Sequence, residues 1–306
     1  MQIVTDITKY DKRACAATIG SFDGVHRGHL AMLGELRLAA AEKGLPLMVV
    51  TFATHPRRVF DRACEPFLLT SSGDKMRLLE LAGVDVCVLL DFDCAMASLS
   101  AGQFMREILV ERLGVQLLAV GYDHHFGRPV PGEGLEQYVA FGNSLGVDVF
   151  GTQPFIVDGV AVSSSAIRRA LSAGDVALAA SLLGRCYSLA GTVVHGAGIG
   201  RVLGFPTANI ALSCEEQMLP SDGVYETVVT VDGDVFKGVM NIGVKPTVSG
   251  KERTNEVHIL DFEGDIYGKE LVVEFVRRLR GEQSFDNVDA LRLQIDADIV
   301  RVKRGI

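Results

Sequence analysis

The sequence predicts an α/β domain with a doubly wound parallel sheet, followed by an antiparallel β-barrel that ends in a helix. Up to about residue 160, apolar strand-like runs alternate with helical periodicity, and this alternation implies parallel strands joined by crossover helices. Beyond Gly184 the pattern changes to short strand-like runs separated by turns such as Asp232-Gly233, which is typical of an antiparallel barrel. The chain of 306 residues is long enough for two such domains.

The first domain is predicted from apolar runs and from the helical stretches between and after them. The strand-like runs lie at 15–19, 45–52, 84–90, 117–120 and 147–150. Helical spacing of apolar residues covers 30–42, 73–82, 101–113 and 135–145, with Ser100 as a candidate N-cap of the third helix. Two further helices are expected at 163–171 and 175–183.

The second domain is predicted from strand-like runs at 187–195, 223–231, 235–242, 255–262 and 270–275. A closing helix is expected over 284–302, because Leu291, Ile295 and Ile299 recur every four residues along one face. We place the domain boundary near residue 185, which divides the chain into domains 1–184 and 185–306.

Composition and charge limit the partners of the protein. Hydrophobic residues make up 48% and charged residues 22% of the chain, and the net charge of −8 argues against a general nucleic-acid binder, which needs a basic face. The six cysteines are scattered without a Cys-x-x-Cys pair, which favours free thiols in a reducing cytosol. The N-terminus has no signal-peptide pattern and no apolar run reaches about 18 residues, so we expect a cytoplasmic protein without a membrane partner, as a monomer or weak homo-oligomer.

The densest motif of the first domain is GSFDGVHRGH at 20–29, between the first predicted strand and the first helix. Its glycines let the backbone turn sharply and approach a ligand, and the new helix N-terminus presents unpaired N–H groups that suit an anion. His26 and His29 are three residues apart, so both imidazoles lie on one face of the first helical turn. The pattern favours a phosphate site where both histidines neutralise charge on a transferring phosphoryl group or its pyrophosphate leaving group. A zinc-binding pair and a polar helix cap are the alternatives.

This motif resembles that of the HxGH nucleotidyltransferases, a Rossmann-like family, in the form found in bacterial bifunctional riboflavin kinase/FAD synthetases. Related HxGH enzymes carry a shorter motif, so the motif by itself identifies the superfamily better than the substrate. The resemblance implies that the first domain transfers AMP from ATP to FMN, with His26 and His29 as catalytic residues. It also implies nucleotide contacts at Gly20, Phe22, Asp23 and Gly24.

Two more turns follow strands of the same predicted sheet, at 51–56 and at 121–127. Ligands bind beyond the carboxyl ends of the strands in a doubly wound sheet, so His55, Asp123 and Phe126 are expected to converge with the His26/His29 turn. In the family that the chain resembles, the turn matching 121–127 lies at the flavin and nucleotide site, which implies ligand contacts there. A buried structural histidine at 55 and a turn cap at 123 are the alternatives. His124 stands where the family has an aromatic residue, and this departure puts in question how the isoalloxazine ring packs there.

A second anion cradle is predicted where the helix at 163–171 begins. The hydroxyls and backbone amides of Ser163, Ser164 and Ser165, with Arg168 one turn further on, can surround a phosphate group. A plain serine N-cap with a solvated arginine is the alternative. In the family that the chain resembles, the corresponding Ser-Ser-Thr-x-Ile-Arg segment binds the ATP phosphates, which implies phosphate contacts for the three serines and a catalytic role for Arg168. Ser165 replaces the usual Thr and keeps a hydroxyl.

The second dense cluster is HGAGIGRVLGFPTAN at 195–209, near the start of the predicted barrel. A dinucleotide fingerprint would need a helix next, which Pro206 in a strand-rich region argues against, and the chain contains no Walker A motif. The segment GFPTAN resembles the hallmark of riboflavin kinases. The resemblance implies that Thr207 and Asn209 hold Mg²⁺ and phosphates, and oxygen donors of this kind suit Mg²⁺. The expected nucleotide-binding loop also includes Gly198, Gly200, Gly204 and Pro206.

Later motifs, at 241–247, 256–262 and 265–269, match the riboflavin kinase pattern in the same order. The resemblance makes Glu256 the candidate base for the primary ribityl hydroxyl of riboflavin, with a surface strand carboxylate as the alternative. The arginine-rich stretch 277–280 fits either a solvated edge or part of the flavin rim.

The motifs together predict a bifunctional enzyme that uses ATP as co-substrate and requires Mg²⁺. The barrel domain is expected to phosphorylate riboflavin to FMN, and the first domain to adenylylate FMN to FAD with release of pyrophosphate. Riboflavin, FMN and ATP are thus the expected small-molecule partners, with FMN and FAD as product ligands. Two other functions stay open at this point: a nucleotidyltransferase for another substrate, and a flavin-binding regulatory protein without turnover.

Overall fold

A computed structural model describes residues 1–60, 65–122, 126–128, 130, 134–196, 198–247 and 250–305. Contacts between Cα atoms divide the chain into two compact units. The first unit comprises Met1–Glu65 and Thr70–Ser163, and the second comprises Pro66–Leu69 and Ser164–Ile306. In the described part of the chain, no helix has both the length and the apolar character that crossing a membrane requires.

The first unit is built on a parallel sheet of six strands within the described residues. The strands are β1 Gln2–Val4, β2 Cys15–Ile19, β3 Leu47–Phe52, β4 Val86–Leu90, β5 Val115–Val120 and β6 Asp148–Gly151. Their order across the sheet is β1-β4-β3-β2-β5-β6, and all neighbours are parallel. The order changes direction at β2, which places the switch point between β2 and β5. The predicted doubly wound parallel sheet is confirmed.

Helices flank this sheet in the way that its buried strands require. They are α1 Arg27–Glu42, α2 Pro56–Phe60, α3 Ser72–Leu81, α4 Cys94–Ser98, α5 Ala101–Phe104 and α6 Leu135–Leu145, together with a 3₁₀-helix at Ile7–Lys9 and a small hairpin of β7 Ile156–Val157 and β8 Val160–Ala161. Cys15 and Ala17 of β2 contribute to the core on one face of the sheet, whereas Ala16 contributes to the core on the other. Both faces are therefore covered, which explains why β2 and β3 are continuous apolar runs.

The region predicted as one helix over 101–113 differs from the expectation. After α5 the chain continues as a π-helix over Met105–Arg112. The predicted cap of α5 is present, since the Ser100 hydroxyl accepts from the Gln103 amide (3.2 Å) and the Gln103 side chain accepts from the Ser100 amide (2.9 Å). A π-helix is rare and this one spans only eight residues, too few for the apolar spacing to reveal the change from α-helix.

The second unit contains a closed antiparallel barrel, as predicted. Its described strands are β9 Tyr187–Val194, β10 Ala208–Leu212, β11 Gly223–Val231, β12 Asp234–Thr247, β13 Gly250–Ile259 and β14 Glu270–Arg280, in the order β10-β13-β12-β11-β14-β9. The helices of this unit are α7 Ser164–Ala173, α8 Val176–Leu183, α9 Ile199–Leu203 and α10 Val288–Arg304. The closing helix begins at 288 rather than 284, because Asn287 caps it by accepting from the Ala290 amide (2.9 Å).

Aromatic side chains fill the interior of the barrel. Tyr187, Tyr225 and Phe275 are fully buried, and the Phe275 ring contacts both tyrosine rings, with centroids 6.2 and 5.4 Å apart. Helix α8 packs on β9 and β14, so α7 and α8 group with the barrel by their contacts. The domain boundary at 184/185 stays a prediction about the two activities, and the division by contacts falls earlier, at Ser163/Ser164.

Two helix glycines provide a test of this packing. Gly34 in α1 is exposed and nothing lies within 4 Å of the position of an added Cβ, so Gly34→Ala should raise the free energy of unfolding by about 1 kcal/mol through helix propensity. Gly142 in α6 lies against β6, where an added Cβ would meet the Val149 side chain and the Val147 carbonyl oxygen (2.7 Å). Gly142→Ala should therefore destabilise the first unit by about 1–3 kcal/mol in denaturant unfolding. Equal effects of the two substitutions would contradict this packing.

Candidate active sites

The turn between β2 and α1 has a strained backbone that other residues hold in place. Phe22, Gly24 and Val25 all have positive φ, at 50°, 86° and 37°. This conformation costs about 1 kcal/mol or more for each residue other than glycine. The buried Asp23 carboxylate accepts from the Thr70 amide (3.3 Å), and the Thr70 hydroxyl accepts from the Gly24 amide (3.1 Å). These hydrogen bonds hold the turn in its conformation where the helix begins.

His26 and His29 form a reciprocal capping box at the N-terminus of α1. The His26 Nδ1 accepts from the His29 amide, and the His29 Nδ1 accepts from the His26 amide, both at 3.3 Å. The two rings stack with centroids 3.6 Å apart and an angle of 10° between their planes. A ring nitrogen that accepts a hydrogen bond carries no proton, so these bonds select the tautomer with the proton on Nε2 in both histidines.

This geometry combines two of the interpretations of the histidine pair. Both histidines cap the helix through Nδ1, while the protonated Nε2 is the nitrogen that can donate to a phosphate oxygen. A zinc pair is not favoured, because zinc needs further ligands and the described residues contain no group of three or more His, Cys, Asp or Glu side chains suited to a metal. Both histidines therefore lie at the N-terminus of α1, where helix N–H groups suit a phosphate group.

The other residues predicted for this site lie in different environments. The Gly20 amide extends the sheet by donating to the Val50 carbonyl (3.0 Å), and the fully buried Phe22 ring contacts the His29 ring at 4.8 Å. His55 is half-buried, and its Nδ1 accepts from the Arg57 amide (3.2 Å) in the first turn of α2. These contacts support local structure, and ligand contacts at the three positions stay predictions.

The predicted flavin turn at 121–127 is only partly described. Asp123 and His124 lie outside the described residues. Phe126 is buried, and its ring packs on Tyr138 (centroids 4.5 Å apart) and Phe104 (5.8 Å). It thus contributes to the core on one face of the sheet.

Lys75 is a residue of this region that the sequence did not reveal. Its ammonium donates to the Ser21 carbonyl (3.4 Å), the Thr51 hydroxyl (3.4 Å) and the Phe52 carbonyl (3.2 Å). These acceptors lie at the carboxyl ends of β2 and β3, so one side chain joins the β2–α1 turn to the neighbouring strand. Burial lowers the pKa of Lys75, which is partly offset by the nearby Cys87 and Asp23. A single lysine in an amphipathic helix gives no sequence signal for this role.

The predicted serine cradle lies at the start of α7. Ser163 directly precedes the helix, Ser164 is its first residue and Ser165 is exposed, so all three lie where the helix presents unpaired N–H groups. Arg168 lies one turn further on, and its Nε donates to the Phe67 carbonyl (2.9 Å). The arrangement provides hydroxyls, helix amides and a guanidinium for an anion.

A cavity of about 400 Å³ lies between barrel strands and the helices α9 and α10. Gly200, Thr207 and Glu256 line it, and the Thr207 hydroxyl donates to the Glu256 carboxylate (3.4 Å). In the strand register Glu256 on β13 lies opposite Asn209 on β10 and opposite Asn241 on β12. Directly opposite residues share a face of a sheet, so these two amides flank the Glu256 carboxylate.

The glycine loop before β10 allows Thr207 and Asn209 to be approached closely. A Cβ at Gly196 would overlap the Asn209 amide, and one at Gly200 would lie 2.5 Å from the Phe205 carbonyl and 2.9 Å from the Thr207 hydroxyl. Gly198 (φ 70°) and Gly204 (φ 88°) are left-handed and bound the short helix α9, which the sequence did not predict. Between that helix and β10, the Pro206 carbonyl accepts from His258 Nδ1 (2.7 Å).

The arginines of the stretch 277–280 have different surroundings, and a role at a flavin rim stays a prediction. Arg280 lines the cavity, and its Nε donates to the Asp298 carboxylate of α10 (2.9 Å), which is only 1% exposed. Arg277 instead pairs with Glu226 (2.6 Å), and Arg278 is exposed. Leu291 and Ile295 of α10 add an apolar wall. A cavity with an apolar wall and a polar edge suits a small molecule that has both an apolar and a polar part.

Comparison with known proteins matches two families to successive parts of the chain. A family model described as FAD synthetase matches residues 8–166, and one described as riboflavin kinase matches residues 183–306. The bifunctional riboflavin kinase/FMN adenylyltransferase of Pseudomonas fluorescens is 42% identical, over 99% of this chain and 97% of that protein. The protein of the same name from Escherichia coli K12 is 40% identical, over 96% and 94%.

The chain belongs to the bifunctional riboflavin kinase/FMN adenylyltransferase family. A crystal structure from Streptococcus pneumoniae, described as a macrolide-efflux protein, also shares the fold, with a TM-score of 0.88 and 30% identity over 98% of both chains. The resemblance seen in the sequence motifs is thus confirmed at the level of the family. Two residues that the sequence analysis did not single out lie at these sites by their contacts: Lys75 at the β2–α1 turn and Asp298 at the cavity.

The Arg280–Asp298 pair should contribute strongly to the stability of the barrel unit. Arg280→Met would leave the Asp298 carboxylate buried without its cation, and we expect a loss of about 3 kcal/mol in denaturant unfolding. The double variant Arg280→Met/Asp298→Leu removes both charges and should recover most of that loss. A single variant as stable as the parent chain would mean that the buried pair does not hold α10 to the barrel.

Proposed function

We infer that the chain is a bifunctional enzyme of flavin cofactor biosynthesis. It phosphorylates riboflavin with ATP to give FMN, and it transfers AMP from ATP to FMN to give FAD and pyrophosphate. One observation carries this inference. The FAD synthetase match includes the histidine turn at 20–29, and the riboflavin kinase match includes the residues of the Thr207/Glu256 cavity.

In the kinase reaction, the primary hydroxyl of the ribityl chain attacks the γ-phosphorus of ATP and ADP leaves. Glu256 is proposed to accept the hydroxyl proton, and the Thr207 contact and the two flanking amides support an oriented carboxylate. In a loose phosphoryl transfer, positioning and charge neutralisation provide most of the rate enhancement. Glu256 would therefore act mainly by orienting the nucleophile.

Magnesium fits this cluster. Thr207, Asn209 and Glu256 offer only oxygen donors or amides, which suits a hard cation. Magnesium is commonly held by one or two protein oxygens together with substrate phosphates, and when bound it neutralises charge on the phosphate oxygens. We propose that Thr207 and Asn209 hold it, in positions against which the loop packs closely because residues 196 and 200 are glycines.

In the adenylyltransferase reaction, a phosphate oxygen of FMN attacks the α-phosphorus of ATP and pyrophosphate leaves. The protein supplies no nucleophile, so its contribution is to position phosphates and to stabilise charge. We propose that His26 and His29 donate through Nε2 and that the serines at the start of α7 and Arg168 also bind phosphates. Neutral histidine donors suffice, because the hydrogen bonds at Nδ1 already fix the rings.

The direct test is to incubate the purified chain with riboflavin, ATP and Mg²⁺ and to separate the flavins over time. Formation of FMN followed by FAD, with pyrophosphate released in the second step, is the expected result. Adenylylation of a different acceptor would indicate another nucleotidyltransferase. Tight flavin binding without turnover would indicate a regulatory protein.

Glu256→Gln should lower FMN formation by about 10²-fold or more, because the amide cannot accept the hydroxyl proton. FAD formation from supplied FMN should not change. The matched control is Glu270→Gln, which alters an exposed carboxylate on β14 and should leave both reactions intact. If the Glu256 variant lost both activities together, the assignment of two separate sites would be wrong.

His29→Ala should lower FMN adenylylation by about 10²-fold or more, the scale that follows loss of one transition-state donor. Riboflavin phosphorylation is the internal control. Because alanine also removes half of the capping box, His29→Glu provides a second variant: it keeps an acceptor for the His26 amide but has no donor. It should preserve stability, which the alanine variant lowers by about 1 kcal/mol, and still lack adenylylation. An active glutamate variant would limit His29 to a capping role.

A further inference from the structure

Four residues that precede α3 in the sequence belong to the barrel unit by their contacts. These are Pro66–Leu69, here called segment 66–69. The Phe67 and Leu68 amides both donate to the Glu216 carbonyl at 2.9 Å, and the Met218 amide donates to the Leu68 carbonyl at 2.8 Å. Leu68 and Gln217 thereby form a parallel bridge. Segment 66–69 is thus bound along its backbone to residues 216–218.

The Gln217 side chain connects this bridge to the barrel. It is only 5% exposed, and its amide donates to the Leu69 carbonyl (3.2 Å) and to the Ser188 carbonyl of β9 (2.9 Å). Both amide hydrogens are thus used, one on the segment and one on the strand. The Tyr187 hydroxyl on the same strand donates to the Met218 carbonyl (2.5 Å). Residues 216–218 are therefore held on β9, and segment 66–69 is held through them.

Segment 66–69 in turn contacts Arg168. The Phe67 carbonyl accepts from Arg168 Nε (2.9 Å), and the guanidinium carbon lies 5.5 Å from the centroid of the Phe67 ring. A hydrogen bond at Nε and an aromatic ring beside the group together fix the plane of the guanidinium. The plane decides which phosphate oxygens the Nη groups can reach, so the position of Phe67 sets how Arg168 meets an anion.

We propose that Gln217 is a positioning residue for FMN adenylylation, acting through Phe67 to orient the Arg168 guanidinium toward the ATP phosphates. The proposal rests on the proposed function, which assigns Arg168 to those phosphates. Gln217 lies within the part of the sequence matched by the riboflavin kinase family, and yet the reaction it serves is the other one. Its amide does not touch the substrate in this role. Instead, Gln217 holds the backbone of segment 66–69, and the Phe67 carbonyl of that segment holds Arg168.

The test is Gln217→Met in the full chain, which keeps the length of the side chain but removes both donors. The KM for ATP in FMN adenylylation should rise about tenfold, because the guanidinium loses its fixed orientation. The kcat and KM of riboflavin phosphorylation should not change. Glu215→Ala, at an exposed neighbouring position, is the matched control and should alter neither reaction. Equal losses in both reactions would mean a structural role only and would overturn the proposal.

Two further variants separate this proposal from the assignment on which it rests. Arg168→Ala should impair adenylylation by itself, and adding Gln217→Met to it should then cause no further rise in the KM for ATP. If Arg168→Ala left adenylylation unchanged, the proposed role of Arg168 would fail. If Arg168→Ala impaired the reaction and Gln217→Met did not, only the role of Gln217 would fail. If the Gln217 variant does not fold, Phe67→Leu is the alternative test. It keeps the backbone hydrogen bonds but removes the aromatic ring beside Arg168, and it should raise the KM for ATP in adenylylation by about threefold.

Discussion

The turn between β2 and α1 depends on buried polar side chains that hydrogen-bond to its backbone and to the neighbouring strand. A backbone turn that points its amides at a ligand cannot pair those amides with a sheet or a helix, and the β2–α1 turn also contains three residues with positive φ. Such a turn is stable only if other groups determine its shape. Lys75 and Asp23 do so here: the Lys75 ammonium donates to the Ser21 and Phe52 carbonyls, and the Asp23 carboxylate accepts from the Thr70 amide. Burying these charges is tolerable because their partners are in place.

In the barrel unit, the loop before β10 is shaped instead by glycines, which have no side chain to clash with their neighbours. Thr207 and Asn209 lie so close to the preceding loop that a Cβ at Gly196 or Gly200 would overlap them. The glycines of this loop have different structural roles. Gly196 and Gly200 avoid a clash with Asn209 and Thr207, whereas Gly198 and Gly204 adopt the left-handed conformation at the ends of α9. A glycine-rich sequence is therefore not by itself a dinucleotide fingerprint. Here the loop leads into a barrel strand, and its glycines serve the side chains of that strand.

Local patterns predicted the fold well, and contacts between distant residues account for what they missed. The buried runs of β2 and β3 are visible in sequence because both faces of the sheet are covered. Strand β10 was missed because ANIAL is short and half-exposed, although it carries Asn209. The motif predicts both histidines at a helix start, but only the structure shows that the ring of each accepts a hydrogen bond from the backbone amide of the other. No periodicity could have indicated Gln217, whose partner Leu69 is 148 residues away.

The family matches and the contacts place the boundary between the two parts of the chain at different residues. A family match describes sequence similarity, whereas the contacts describe which residues pack together. The two matches leave residues 167–182 unassigned, and this gap contains Arg168 and most of the α7–α8 hairpin. By contacts the hairpin belongs with the barrel, and the Arg168 side chain is held by a segment that the barrel unit binds. Arg168 is therefore proposed to act in adenylylation, although the contacts that fix its position belong to the barrel unit. Under the proposed assignment of Arg168 to the ATP phosphates, residues of the barrel unit that do not themselves meet the substrates set the orientation in which this arginine binds phosphates.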